Sequence, residues 1–420
     1  MTAVATRLLP SRRTSRSVLY ALSAVLVLAI VVAYTGADEL TSRGTASAAL
    51  RLAIPILMAG LGGLFAERAG VVNIGLEGMM IAGTWFGAWG SWQFGPWWGV
   101  ALGVAGGAVF GLVHAVATVT FAVDHIVSGV AINILAGGAM RFLSSITYTP
   151  ETGGSVVQSP GVTKMGTFNT PFVAGGNLFG WKSPDLLGWL EDRDWFFVSD
   201  GAGVLRGVTG EVSWLTLLAV ALVPLSVFVL WRTAWGLRLR SCGEHPWAAE
   251  SLGVPVLRMK YYAVLISGGL AGLGGAFIVL VQQGLYREAS TAGRGFIGLG
   301  ALIFGNWMPA GVLNGALLFG FGDSLRFRGA ATVRALLLTI GVGLVALAVW
   351  RWRRKRPRAA GVQGALALMV LLGYALLTEV PDQLITATPY LITLLVLAIA
   401  TQSLRMPAAD GARYRKGETG

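Results

Sequence analysis

Apolar residues in this chain fall into long, nearly unbroken runs, without the polar face that a water-exposed helix or strand would show. Such runs occur from Val18 to about Tyr34 and at 46–65, 71–92, 97–121, 126–146, 213–231, 261–283, 332–350, 363–379 and 385–402. Each is close to the roughly 20 residues that a helix needs to cross about 30 Å of hydrocarbon. Between 296 and 323 two shorter apolar pieces are separated by NWMPAG, Asn306 to Gly311, where proline and glycine interrupt a helix. That segment reads either as two short spans or as a re-entrant hairpin. The pattern predicts an all-α, polytopic membrane protein with about 10–12 transmembrane helices, one segment broken or re-entrant.

Composition agrees with this picture. Of 420 residues, 55% are hydrophobic and 12% charged, against about 25% charged in a soluble domain. The 59 glycines suit close helix packing, and Gly103, Gly107 and Gly111, with Gly268 and Gly272, stand at spacings that do so. The single cysteine, Cys242, excludes an internal disulfide, and His114, His125 and His245 have no metal-ligand spacing. No GxxxxGK[ST] phosphate loop occurs, so any ATP is bound by another chain. No catalytic residue, metal site or cofactor is expected.

The net charge of +12 is carried by clusters between apolar runs, which marks topology rather than a nucleic-acid partner. Basic clusters at 7–16, 232–260, 351–358 (RWRRKRPR) and near the C-terminus should be cytoplasmic. The segment 147–212 holds seven acids against four bases and should face outward. Its Trp181, Trp189 and Trp195 suit an interfacial helix, a docking surface or a plain membrane-surface flap. The resulting organisation has a basic tail and first helix at 1–45, helices over 46–146, and an extracytoplasmic segment at 147–212. Helices over 213–402 with a cytoplasmic loop at 232–260 follow, then a tail at 403–420. Both termini are expected in the cytoplasm, and the chain in the plasma membrane.

Two stretches carry candidate chemistry. In FAERAGVVNIGLEGMM, Asn73 and Glu77 are four apart and share a face if helical. A carboxylate at mid-membrane costs about 2.5–3.5 kcal/mol, so it normally faces a cavity or a partner. Glu77 either lines a polar pathway, pairs with Arg68, or caps a helix broken at Gly75 or Gly78. Asn133 either lines that pathway or bonds a neighbouring helix, and His114 and His125 read as structural or interfacial. The second stretch, SCGEHPWAAESLGVPVLRMK, places a short polar helix between basic residues, with Pro246 at its start and Gly253 near its end. It is either an ordinary turn or a lever for another protein, with the small Ala248 and Ala249 allowing close approach.

GEHPWAAESLGVPVLRMK resembles the coupling-loop pattern of ABC importer permeases of the sugar, nucleoside and branched-chain amino acid group. Gly243, Glu244, Pro246, Ala248, Ala249, Gly253, Val256 and Lys260 match it, whereas His245 replaces the usual asparagine and Trp247 the common arginine. RAGVVNIGLEGMM resembles the nucleoside-type branch, and GRGFIGLGALIFGNWMPAG, Gly293 to Gly311, is similar to a further run of the family. The resemblance implies a permease subunit for a nucleoside or related small polar solute, with substrate passing Asn73, Glu77 and Asn133. It also implies three partners: an ATPase subunit gripping residues around Gly243–Gly253, a second homologous permease, and an extracytoplasmic solute-binding lipoprotein. A simple-sugar or branched-chain amino acid permease is the alternative within the group. An ion-coupled secondary transporter with Glu77 as proton carrier is the alternative outside it.

Overall fold

The structure is a computed structural model that describes residues 30–376, apart from 179, 194 and 327, and residues 404–417. Among the described residues seven helices are long and apolar enough to cross a membrane. They cover Asp38–Arg68, Pro96–Thr120, His125–Thr147, Trp214–Arg232, Val256–Gln283, Ala331–Arg353 and Pro357–Leu376. The run expected at 385–402, and most of that at 18–34, fall outside the described residues.

In chain order the helices are α1 (Arg43–Arg68), α2 (Leu76–Phe94), α3 (Pro96–Ala115) and α4 (His125–Thr147). There follow α5 (Leu186–Glu191), α6 (Val198–Thr209), α7 (Trp214–Arg232), α8 (Ala234–Glu244) and α9 (Pro246–Ser251). The last are α10 (Val256–Phe277), α11 (Arg294–Phe304), α12 (Pro309–Leu325), α13 (Ala330–Arg353) and α14 (Pro357–Leu376). Helices α3 and α10 each continue in a π-helical turn, Val116–Thr120 and Ile278–Gln283. The helix starts follow local chemistry. Asp124, Ser213 and Thr233 accept hydrogen bonds from the first free N–H groups of α4, α7 and α8.

The chain divides into two compact units. The larger comprises Ala49–Phe168, Val212–Phe321 and Gln402–Gly420. At its heart α2, α3 and α10 pack nearly backbone to backbone. A Cβ added at Gly107 would lie 2.2 Å from the Gly268 carbonyl, and one at Gly272 would lie 2.3 Å from the Gly103 carbonyl. The glycine spacings of the sequence are therefore a helix-packing seam. Helix α4 lies at the edge and exposes Ile126, Val130, Ile134, Phe142 and Ile146, an apolar face suited to lipid. Two-residue strands β1 (Thr167–Phe168) and β4 (Val212–Ser213) pair antiparallel where the intervening segment leaves and rejoins this unit.

The run expected as a span at 71–92 becomes helical only at Leu76. Residues 69–75 form an irregular connection whose backbone is satisfied by side chains, described below. The segment 296–323 forms α11 and α12, separated by a turn at Gly305–Met308. With 11 residues, α11 is about 16 Å long and cannot cross the bilayer by itself.

The smaller unit comprises Met1–Ala48, Asn169–Glu211 and Gly322–Thr401. Strands β2 (Asn177–Leu178) and β3 (Trp181–Lys182) form a small hairpin there. Arg206 of α6 binds Asp185 at 2.6 Å and Glu191 at 2.7 Å, which ties α6 to α5. Those carboxylates, Glu191 first, raise the affinity of Arg206 for its proton. Trp181, Trp189 and Trp195 are all exposed. A cavity of about 450 Å³ is lined by Val32, Asp38, Glu191, Trp195 and Asp200, among others. Helices α13 and α14 form an antiparallel hairpin, and the basic 351–358 string makes its turn, with Lys355 in the left-handed region at φ 56°.

Candidate functional site

The coupling-like stretch folds as two short helices, α8 and α9, meeting at His245. His245 is extended, at φ −151° and ψ 86°, and its Nδ1 accepts a hydrogen bond from the Ala248 amide at 3.1 Å. The imidazole thereby performs the N-capping task that asparagine performs well, which gives the His245 replacement a physical reason. Pro246 occupies the first turn of α9, and Gly253 ends the segment at φ 80°.

Only part of this stretch is available to a partner. Glu244, His245, Ala248 and Gly253 are exposed and Trp247 is half-buried, whereas Gly243, Pro246 and Ala249 are buried. The expected pair of outward alanines is thus a single one. Ala249 packs inward with Cys242, Val256, Met259 and Tyr414 because it lies on the core side of α9. Leu252, which the motif does not single out, is 86% exposed beside Ala248.

The inner side of the stretch is locked to the end of α1. A Cβ on Gly243 would stand 2.3 Å from the Arg68 carbonyl, so only glycine fits there. Arg68 donates through Nε and Nη2 to the Trp307 carbonyl, at 3.2 and 2.7 Å. Its guanidinium also lies 3.8 Å from Glu244 and over the Trp231 ring. The sequence offered Arg68 as a partner for Glu77; in the structure it serves Glu244 and Trp307 instead.

Residues 69–75 then run from this lock to α2, held at nearly every step. Lys260 donates to the Gly70 carbonyl at 3.3 Å. Val72 is held from both sides: its amide donates to His125 Nδ1 at 3.3 Å, and its carbonyl lies 3.2 Å from His114 Nε2. A carbonyl only accepts, so His114 carries its proton on Nε2 and accepts from Ser128 through Nδ1 at 2.8 Å. Asn133 acts as a clip, with Nδ2 donating to the Ile74 carbonyl and Oδ1 accepting the Gly78 amide at 2.7 Å. Asn73 is fully buried and donates to Ser267 Oγ at 2.8 Å, while its Oδ1 has no partner among the described residues.

Glu77, 7% exposed, closes the sequence of contacts. Its Oε1 accepts from Thr291 Oγ1 at 2.6 Å and from the Gly293 amide at 2.9 Å, and its Oε2 accepts the Gly295 amide at 2.7 Å. These donors frame the N-terminus of α11, where free amides and the helix dipole favour a negative charge. Glu77 therefore caps a helix, but the capped helix is α11, more than 200 positions away, rather than its own. The structure brings Asn73, Glu77 and Asn133 together around the start of α2. It connects them to the α8–α9 stretch through residues 68–75.

Sequence reasoning missed Glu67. It is buried at the end of α1, bonded to the Trp307 indole N–H at 2.5 Å and to the carboxyl of Asp410. Burial, reinforced by the Glu67 carboxylate, pushes Asp410 up to about 8. Nothing in the local pattern around Glu67 signals this, because both partners are remote in sequence.

The family model described as branched-chain amino acid transport system / permease component matches residues 45–340. The guanosine ABC transporter permease protein NupQ of Bacillus subtilis (strain 168) is 37% identical over 378 residues, 88% of this chain and 96% of that protein. The nucleoside ABC transporter permease protein NupC of Lactococcus lactis subsp. cremoris is 31% identical over 371 residues, 87% and 94% of the two chains. The putative glucose ABC transporter permease protein TsgC13 of Haloferax volcanii is 34% identical over 294 residues, 70% and 80%. No solved structure matches at a significant level. With a model match over most of its length and relatives this similar, the chain belongs to the permease component family of branched-chain amino acid-type transport systems.

Proposed function

We infer that this permease moves a nucleoside or a related small polar solute across the plasma membrane as one subunit of an ATP-driven importer. The observation that carries the reading is the capped α9 helix, which presents Ala248 and Leu252 outward while Gly243 is locked onto Arg68. A push on the outer face reaches residues 68–75, and through them Glu77 and the N-terminus of α11. The partners are an ATPase subunit seated on Glu244, His245, Trp247, Ala248, Leu252 and Gly253, a second homologous permease, and a solute-binding lipoprotein on the opposite face. In this arrangement α9 and both termini are cytoplasmic, 147–212 is external, and ATP is hydrolysed in the separate chain. Glu77 and Asn133 act by fixing the geometry beside the pathway, since their polar atoms are engaged with the protein itself, and Asn73 is held there through its amide bond to Ser267.

The nucleoside assignment draws on the names of NupQ and NupC, and the sugar alternative on TsgC13. The test is uptake of radiolabelled guanosine and glucose by proteoliposomes holding the co-purified complex, with ATP and with Ala248→Arg. The reading expects ATP-dependent guanosine uptake that falls at least tenfold in the variant while the membrane level of the chain is unchanged. Full ATP-driven uptake by Ala248→Arg would remove the coupling assignment, and uptake of glucose alone would favour the sugar reading.

A further inference from the structure

Residues 404–417 carry no apolar period, yet they are fastened along their length. The Arg405 amide donates to Asn306 Oδ1 at 2.7 Å, and the Ala408 amide to Glu244 Oε2 at 3.3 Å. The Ala409 amide donates to the Gly243 carbonyl at 2.9 Å. Asp410 reaches Glu67, Arg413 lies 3.9 Å from Asp124, and Tyr414 packs on Trp247 with ring centroids 6.0 Å apart. Tyr414 also joins the buried cluster of Ala249, Val256 and Met259 that holds the fully buried Cys242. The segment thus crosses beneath the α8–α9 junction and touches Gly243, Glu244 and Trp247 directly.

At its centre two acids meet. Two carboxyl groups in hydrogen-bond contact need one proton between them, since two carboxylates repel and offer no donor. We propose that residues 404–417 form a strap that positions the α9 helix, and that the Glu67–Asp410 pair, sharing one proton, is the latch that holds the strap down. The proposal rests on the coupling reading of α9 and adds to it a positioning residue, Asp410, outside the matched family segment.

Asp410 faces Glu67 and Arg68 from α1 and Lys260 from α10. Burial and the Glu67 carboxylate raise its affinity for a proton, and Lys260 opposes them. The docked strap holds the proton up to about pH 8, whereas a released Asp410 would lose it at its ordinary 3.8. Docking is therefore strongest below 3.8, weakens as pH rises through that window, and levels off above about 8. The limit for one linked proton is about tenfold per pH unit.

The chain's one cysteine can report this, because Cys242 is fully buried and shares its buried cluster with Tyr414 of the strap. The experiment measures maleimide labelling of Cys242 in inside-out membrane vesicles between pH 6 and 9, for the natural chain and for Asp410→Asn. The asparagine keeps a donor to Glu67 without the titrating proton. The natural-to-variant ratio of rates cancels the ionisation of the thiol itself. The strap predicts a ratio that climbs more than tenfold between pH 6 and 8 and then flattens, with Tyr414→Ala faster than the natural chain at every pH. A flat ratio, or Tyr414→Ala no faster than the natural chain, overturns it, and Tyr414→Ala serves alone if Asp410→Asn does not accumulate. Guanosine taken up per ATP by the complex lacking residues 404–420 should fall severalfold. An unchanged yield with the predicted labelling would contradict positioning, while labelling as predicted without any ATP-driven uptake would instead count against the importer reading.

Discussion

Two buried glutamates ten positions apart, Glu77 at the start of α2 and Glu67 at the end of α1, solve the same problem in different ways. Glu77 is surrounded by donors only: one hydroxyl and two amides at the N-terminus of α11. Glu67 has one indole donor and a second acid, Asp410. The first is a fixed brace, with every neighbour matched to a negative charge. The second is matched only while a proton is present, so it can be undone. The difference sets a carboxylate held by three fixed donors against one whose contact with a second acid depends on a proton.

The largest expected effect comes from breaking the brace. Glu77→Ala leaves the Gly293 and Gly295 amides and the Thr291 hydroxyl without their carboxylate acceptor and should cost about 3–5 kcal/mol. Loss of folded protein in a detergent fluorescence size-exclusion assay would report it; a variant as stable as the natural chain would mean the carboxylate is not needed there. Next, Gly243→Ala forces a methyl group to within 2.3 Å of the Arg68 carbonyl. Overpacking against backbone costs about 1–3 kcal/mol, and melting in detergent should fall accordingly. Asn133→Leu removes two hydrogen bonds at the α2 start and should cost about 2 kcal/mol, with no comparable loss if Asn133 simply faced a water-filled path. The smallest effect is at the cap: His245→Ala should cost about 1 kcal/mol and His245→Asn almost nothing. Equal behaviour of those two variants would show that the Nδ1 bond to Ala248 is unimportant.

Much of the fold was legible in the sequence because membrane spans announce themselves by length and apolarity. Runs at 46–65, 97–121, 126–146, 213–231 and 261–283 reappear as helices within a few residues at each end. The start of α2 was not legible. Residues 71–75 are apolar enough to read as span, yet their backbone is taken up by His114, His125 and Asn133, side chains from other helices. The α8–α9 stretch was legible as a pattern, but which residues face out depended on the buried cluster that Ala249 and Cys242 form with Val256, Met259 and the sequence-distant Tyr414. Glu77 drew notice because a charge interrupts an apolar run. Glu67 did not, because it sits beside Arg68 where a loop acid is unremarkable, and its partner lies in a tail without a hydrophobic period.

The central claim is that α9 is where an ATPase engages this permease. The most direct measurement places a photo-crosslinking side chain at Leu252, which is 86% exposed on that face, and identifies what it captures in native membranes. The account predicts a covalent adduct with an ABC ATPase subunit, lost when Ala248 is replaced by arginine. Capture of lipid alone, with the ATPase recovered equally well from a probe on the external segment, would contradict it.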